Sequence, residues 1–386
     1  MRVEFLKASN DDYNELVDFA NYVFSHSGNK TDFPRLLPKL YKKNYDTMSN
    51  HYVAKEDGKI KAVVGVFPME LNVLNKKLKV AGIGTVSVHP YSRGSGYMKE
   101  LMNMALRDMK IDKFDLSCLG GKRQRYEYFS YTPCGEKFNF EVNKDNIKHK
   151  LGNELNSNIL LKEINENDFE LIEMCQNLYN KSSFRFEREK EKFLDIIKSW
   201  YSSGYAIFKG KDFIGYLVAS EDKKIISEMY INKEESFLDI LGIYLYTNNL
   251  FEVKILMPSW EKEKIKLLQS LSEYSSISDS YQYNVLNYEN IIETLLKFKS
   301  SYDKISDGSL KMDIHGYGKF NILVDNSKVT VEKFEGKCDI SINHLEAMQI
   351  LFSKFGKYML DDSNIDREVI NSWLPLPLYI NHSDEV

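Results

Sequence analysis

The sequence predicts a mixed α+β protein of three consecutive units, and three observations carry that expectation. A chain of 386 residues exceeds what one ordinary core organises, at roughly 100–200 residues per domain. Apolar patterns of period 2 and period 3.6 alternate along its whole length. Two changes of character divide it: a polar, Lys/Asn-rich stretch at residues 146–158, and a switch to short alternating strands beyond about Tyr288. The expected units are therefore 1–150, 151–287 and 288–386.

In the first unit, residues 3–6 read as a strand, followed by an amphipathic helix with Leu16, Phe19, Ala20 and Val23 on one face and then a polar helical stretch. Residues 51–55 and 61–67 flank a Glu-Asp-Gly-Lys turn, which predicts a hairpin. Residues 71–74 and 78–88 are β-branched and apolar, separated by a turn at 75–77. A helix over 97–106 and a strand over 114–119 complete the order β-α-α-β-β-β-α-β.

The second unit repeats the opening of the first: a strand at 160–164, helices over 168–180 and near 187–200, and a hairpin of 205–208 with 213–218. This predicts a degenerate internal duplication. The third unit reads as a helix over 291–298, a small antiparallel sheet from 310–314, 320–324, 329–332 and 338–342, a helix over 344–355, and an extended tail from Trp373 through two prolines.

Composition narrows the function. The 52 basic and 56 acidic residues are interspersed and leave a net charge of −4, so nucleic acid is not an expected partner. The four cysteines, Cys118, Cys134, Cys175 and Cys338, form no metal-ligand spacing, so no metal is expected and a reducing compartment is. With no apolar leader at the N-terminus and no 18-residue apolar run, the expectation is a cytoplasmic protein without a membrane partner.

The strongest local signal is the run Val86, Ser87, Val88, His89, Pro90, Tyr91, Ser92, Arg93, Gly94, Ser95, Gly96, Tyr97, Met98. A strand passes through a glycine turn into a helix, and N–H groups freed at a helix start form an anion-binding concavity to which Arg93 adds charge. A second segment, residues 120–131, follows a strand and mixes two glycines, three cations and three tyrosines around Tyr126. A tyrosine hydroxyl can protonate a departing thiolate, because a leaving group needs an acid within hydrogen-bond reach.

Arg-x-x-Gly after a Val-x-Val strand resembles the acetyl-CoA pyrophosphate loop of the GNAT acetyltransferase superfamily. The pattern of Tyr126, Phe129 and Tyr131 is similar to that of the enhanced intracellular survival (Eis) family, over the whole chain. That resemblance implies a catalytic GNAT domain, a degenerate GNAT-like domain and a sterol-carrier-like domain, acetyl-CoA as acetyl donor, and an amine acceptor: a polyamine, an aminoglycoside-like molecule or a peptide. It also implies that Val86 to Val88 pair with the pantetheine arm, that Arg93, Gly94, Ser95, Gly96, Tyr97 and Met98 hold the pyrophosphate, that Tyr126 is the general acid, and that the carboxylate of Val386 is the base. Met98 stands where many family members have a small residue, and Val386 where they often have an aromatic one. A homo-oligomer, hexameric by the same resemblance, is a further expectation.

A free terminal carboxylate has an ordinary pKa of about 3.3–3.7, so proton abstraction calls for a buried setting that raises it. His89, beside the glycine turn, is an alternative base, and residues 32–34 are candidates for the acceptor side. The competing function is a non-catalytic CoA- or lipid-binding carrier; the presence of Arg93, Gly96 and Tyr126 weighs against it.

Overall fold

The computed structural model describes residues 2–26, 28, 30–152, 158–360 and 365–386. Residues 153–157, inside the polar stretch expected to divide the first two units, lie outside the described residues. The chain builds a mixed α/β fold around three sheets.

The first sheet opens with β1 (Val3–Lys7), β2 (His51–Glu56), β3 (Lys59–Val73) and β4 (Lys76–Val88), neighbours in that order and all antiparallel. The turn between β2 and β3 is Asp57-Gly58, both at positive φ (48° and 79°), as a tight hairpin requires. The two short runs read at 61–67 and 71–74 fall in one 15-residue strand that ends at Val73 and pairs with β4 from Ala62 to Val73. Cross-strand pairing extends through Pro68, which interrupts the sequence pattern but not the sheet. The helix Tyr97–Ile111 buries Leu101, Met102, Ala105 and Met109 against this sheet, and β5 (Leu116–Leu119) then pairs parallel to β4.

Beyond β5 the chain leaves the expected order. The strand Tyr281–Val285, far downstream, inserts between β5 and β6 (Thr132–Cys134). In return β7 (Lys137–Asn143) pairs in the second sheet, between the strands Glu252–Pro258 and Tyr274–Ser278. A further strand, Phe184–Phe186, joins the end of β3. It was not legible as a strand, because three residues carry no period.

The second sheet repeats the plan of the first, with the hairpin Ser203–Lys209 and Asp212–Ala219 followed by Ile225–Ile231 and a parallel neighbour, Glu252–Pro258. The helix expected near 187–200 is broken into short pieces: only Phe193–Ile197 is α-helical, and Trp200 and Tyr201 sit at φ 62° and 57°. In the third unit the helix Tyr288–Tyr302 and a four-stranded sheet pack together, and Ile340–Ile342 runs parallel to Gly308–Ile314 rather than antiparallel. Trp373 closes a helix, Arg367–Trp373, before the extended tail. No described helix is long and apolar enough to cross a membrane.

The first and third units share one apolar core, which runs from Leu71 and Val80 through Ile291 and Leu310 to Trp373 and Leu378. His344 sits in that seam: its Nδ1 meets the Tyr288 hydroxyl at 3.0 Å and its Nε2 the carbonyl of Ser130 at 3.1 Å. The carbonyl can only accept, so Nε2 carries the proton and Nδ1 accepts from Tyr288. Burial lowers the pKa of His344, and of the fully buried His51, to about 4. The unfolded chain therefore binds more protons than the folded one between about pH 4 and 6.5, and stability rises with pH across that window. The melting temperature is expected to fall as pH drops from 6.5 toward 4, with a shallower slope for His344→Gln; equal slopes would show that His344 is not a neutral histidine of the fold.

Candidate functional site

The site begins with a defect in a strand. Between Val63↔Ser87 and Gly65↔Gly84 the pairing of β3 with β4 slips, leaving an extra residue on β4. Such a bulge bends and twists the strand that carries it. Thr85, at the bulge, has φ 55°, a conformation that a β-branched residue adopts only under constraint. The constraint is a buried chain of hydroxyls: Thr85 Oγ1 bonds the Tyr41 hydroxyl, which lies 2.8 Å from His51 Nε2. His51 Nδ1 faces the carbonyls of Thr47 and Met48 at 3.1 and 3.3 Å and so donates, which leaves Nε2 to accept from Tyr41.

Past the bulge, β4 and β5 part. Their last pair is Ile83↔Leu119, while β4 continues to Val88 with only β3 beside it. The backbone of Val86, Ser87 and Val88 thus faces an open split in the sheet, where an extended ligand can add as a strand.

At the far end of β4 the chain turns through Pro90–Ser92 and reaches Gly94 (φ 86°) and Gly96 (φ 82°), the latter capping the helix Tyr97–Ile111. Space for a Cβ is open at both glycines, so the left-handed backbone is what demands them. Arg93, Gly94, Ser95 and Gly96 are exposed; the Arg93 N–H bonds the Pro90 carbonyl at 3.4 Å, and its side chain has no hydrogen bond or ion pair to another described residue. Fifteen residues of helix place their positive end behind this turn, a setting that favours a phosphate. Tyr97 reaches back to Glu56 at 3.3 Å, and Met98 packs at the edge of the core formed by Tyr52, Leu101 and Tyr126.

Tyr126 ends the short helix Arg123–Tyr126, and its ring covers Gly121 so closely that no Cβ fits there. It is 4% exposed, and burial raises its pKa against the opposing pull of Arg125, so it holds its proton at neutral pH. Lys99, on the helix behind the glycine turn, lies over the ring of Tyr128, 5.1 Å from its centroid. Cys118 is wholly buried on β5, and burial pushes its thiol far up.

The C-terminus meets this split. An ideal Cβ on Gly82 would lie 2.5 Å from Val386 Cγ2, and one on Gly84 would lie 2.9 Å from the terminal carboxyl carbon. Val386 is 7% exposed. Tyr281, whose ring covers Gly120, donates its hydroxyl to the Val386 oxygen at 3.3 Å, and burial holds its pKa well above the usual tyrosine range. Lys39 donates to the carbonyls of Ser383 and Glu385, both at 2.6 Å, and the Trp200 indole donates to that of Glu385 at 3.2 Å.

Sequence reasoning named Tyr126, Val386 and the glycine turn; it missed Tyr281, Lys39, Trp200 and Thr85. No local pattern could have found Tyr281, which enters from a strand inserted from far downstream. Of residues 32–34, Asp32 is exposed, Pro34 is half-buried, and Phe33 is buried edge-on to Phe24 and Tyr41. His89 packs beside Phe19 and Tyr22 and accepts the backbone N–H of Tyr91 at 3.4 Å. No group of metal-ligating side chains occurs among the described residues.

Residues 4–140 match the acetyltransferase (GNAT) domain family, and the chain is an acyltransferase. The whole chain is similar to a probable N-acyltransferase from Enterococcus faecalis (15% identity, 98% of each chain, TM-score 0.71). It is also similar to a GCN5-related N-acetyltransferase from Anabaena variabilis (16% identity, 99% of this chain and 98% of that one, TM-score 0.68) and to Eis1 from Mycobacterium abscessus (12% identity, all of both chains, TM-score 0.65). The sequence matches no curated protein.

Gly84 lies at ordinary negative φ, so Gly84→Ala tests the crowding at the chain end without backbone strain. It is expected to change stability by about 1 kcal/mol or less while raising amide exchange at Glu385 and Val386 about tenfold. Unchanged exchange would mean that the terminal carboxyl does not rest on this strand.

Proposed function

We propose that this protein is an acetyl-CoA-dependent N-acetyltransferase that moves the acetyl group directly from the thioester to a primary amine of a polyamine, an aminoglycoside-like molecule or a peptide. The observation that carries this reading is the convergence of a terminal carboxyl, a buried protonated tyrosine and an open strand edge at one split in a sheet. The family resemblance to Eis proteins, with a second GNAT-like domain and a sterol-carrier-like third domain, supports it, and the division into 1–150, 151–287 and 288–386 belongs to the same reading. So does a homo-oligomer.

In this reading the pantetheine arm pairs with Val86, Ser87 and Val88, and the pyrophosphate takes the N–H groups of Gly94, Ser95, Gly96, Tyr97 and Met98 with Arg93 beside them. The free N–H groups of β4 polarise the thioester carbonyl. The amine attacks as the neutral base, and its proton passes to the carboxylate of Val386. The thiolate leaves with the proton of Tyr126, whose raised pKa keeps that proton available. Cys118 takes no part as a nucleophile, because burial disfavours its thiolate. The acidic net charge suits a cationic acceptor.

Calorimetric titration with acetyl-CoA should give saturable binding, weakened about tenfold in Arg93→Ala, the loss of one charge-assisted phosphate contact. Thiol release with a panel of polyamines should fall about 10²–10⁴-fold in Tyr126→Phe with acetyl-CoA affinity unchanged. Failure of the wild-type protein to bind acetyl-CoA would overturn this reading in favour of a carrier.

A further inference from the structure

The second sheet contains a split like the first. Its parallel strands Ile225–Ile231 and Glu252–Pro258 pair only at Ile225↔Lys254 and Ile226↔Ile255 and then part. The gap between them is lined by Glu228, Tyr230, Leu256 and Met257, and by Tyr379 and Asn381 of the chain's own tail. No glycine turn follows the strand. The next helix, Phe237–Thr247, is preceded by Glu234 and Glu235, whose charges oppose a phosphate.

On the face of this sheet, beside Tyr179, Phe193 and Tyr216, Arg188 is fully buried between two carboxylates. Its Nε and Nη2 donate to Asp384, both at 2.9 Å, and its Nη1 and Nη2 to Glu228 at 2.8 and 2.7 Å. Tyr216 donates a short hydrogen bond to Glu228, the Tyr179 ring lies 3.9 Å from the guanidinium carbon, and Gln176 holds the Arg188 carbonyl at 2.8 Å. Lys39, buried nearby within reach of the charges of Asp384 and Glu385, offsets the negative excess of this trio.

We propose that Arg188 is a positioning residue: by clamping Asp384 to Glu228 of the strand Ile225–Ile231, it sets the carboxyl of Val386 in the catalytic split of the first sheet. Asp384 stands two residues from the chain end, so fixing it confines the terminal carboxyl to within about 7 Å. Lys39 and Trp200 hold the carbonyls between. A planar guanidinium bound at both edges fixes orientation as well as position, which a lysine would not. The second unit thereby serves the reaction by holding residues 384–386 through Arg188 and Glu228.

This inference rests on the role given above to Val386, and the test separates the two. Asp384→Ala leaves the Arg188–Glu228 pair in place and removes both side-chain acceptors by which the tail meets Arg188. Carboxypeptidase should remove Val386 from the full-length variant at least about tenfold faster than from the wild type. With the polyamine that gives the fastest thiol release, kcat should fall at least about tenfold at unchanged KM for acetyl-CoA, approaching that of a chain ending at Glu385. Equal trimming of variant and wild type would overturn the clamp, whatever the role of Val386. Faster trimming with full kcat, where the chain ending at Glu385 is slow, would also overturn it. Full turnover by the chain ending at Glu385 would instead overturn the role of Val386, and with it the catalytic purpose of the clamp.

Discussion

The architecture around the split depends on the burial of residues 383–386. Charged side chains and polar backbone are costly to withdraw from water unless each group finds a partner. Here the partners come from all over the molecule: Lys39 from the first unit, Arg188 and Trp200 from the second, Tyr281 from the strand inserted into the first sheet. Ion pairs of this kind add little net stability, because desolvation offsets most of the attraction, but leaving one charge alone is severely unfavourable. They act as a specification, since an end docked in another register would strand Arg188 against Glu228 with one carboxylate missing.

The exchange of strands makes the same point for the backbone. With β7 in the second sheet and Tyr281–Val285 in the first, neither sheet is complete until both are made. The first unit and the third are further joined through one apolar core and the buried His344. The relative placement of the two sheets is therefore set by hydrogen-bonded ladders and not by a flexible linker, and a tail anchored on the second can be aimed at the split in the first.

How much of this was legible follows from where the information lies. The hairpin at Asp57-Gly58 and the turn at Gly94 and Gly96 are local: positive φ at fixed positions leaves a mark in residue type. The amphipathic helix Tyr97–Ile111 and the strands of the third unit announce themselves by period. Tyr126 and Val386 were reached through resemblance, since a tyrosine in a turn and a valine at a chain end carry no chemistry in their spacing. Tyr281, Lys39 and Arg188 were not reached at all, because their roles arise from contacts across more than a hundred residues. The helix expected at 187–200 failed for a related reason: its apolar spacing is helical, but Trp200 is bent into a left-handed conformation where its indole meets the tail.

The comparison of the two sheets carries one more step. Both split after a short parallel pairing, and in both a helix follows the first strand of the pair. In the first, glycines and Arg93 leave the helix start open and positive; in the second, Glu234 and Glu235 close it to anions, and Glu228 adds a buried carboxylate. A buried carboxylate needs a cation, and Arg188 supplies it to Glu228 while its Nε and a second Nη2 proton bind Asp384. The carboxylate that sets the second sheet apart from a phosphate site is thus what anchors, through an arginine, a carboxylate of the tail.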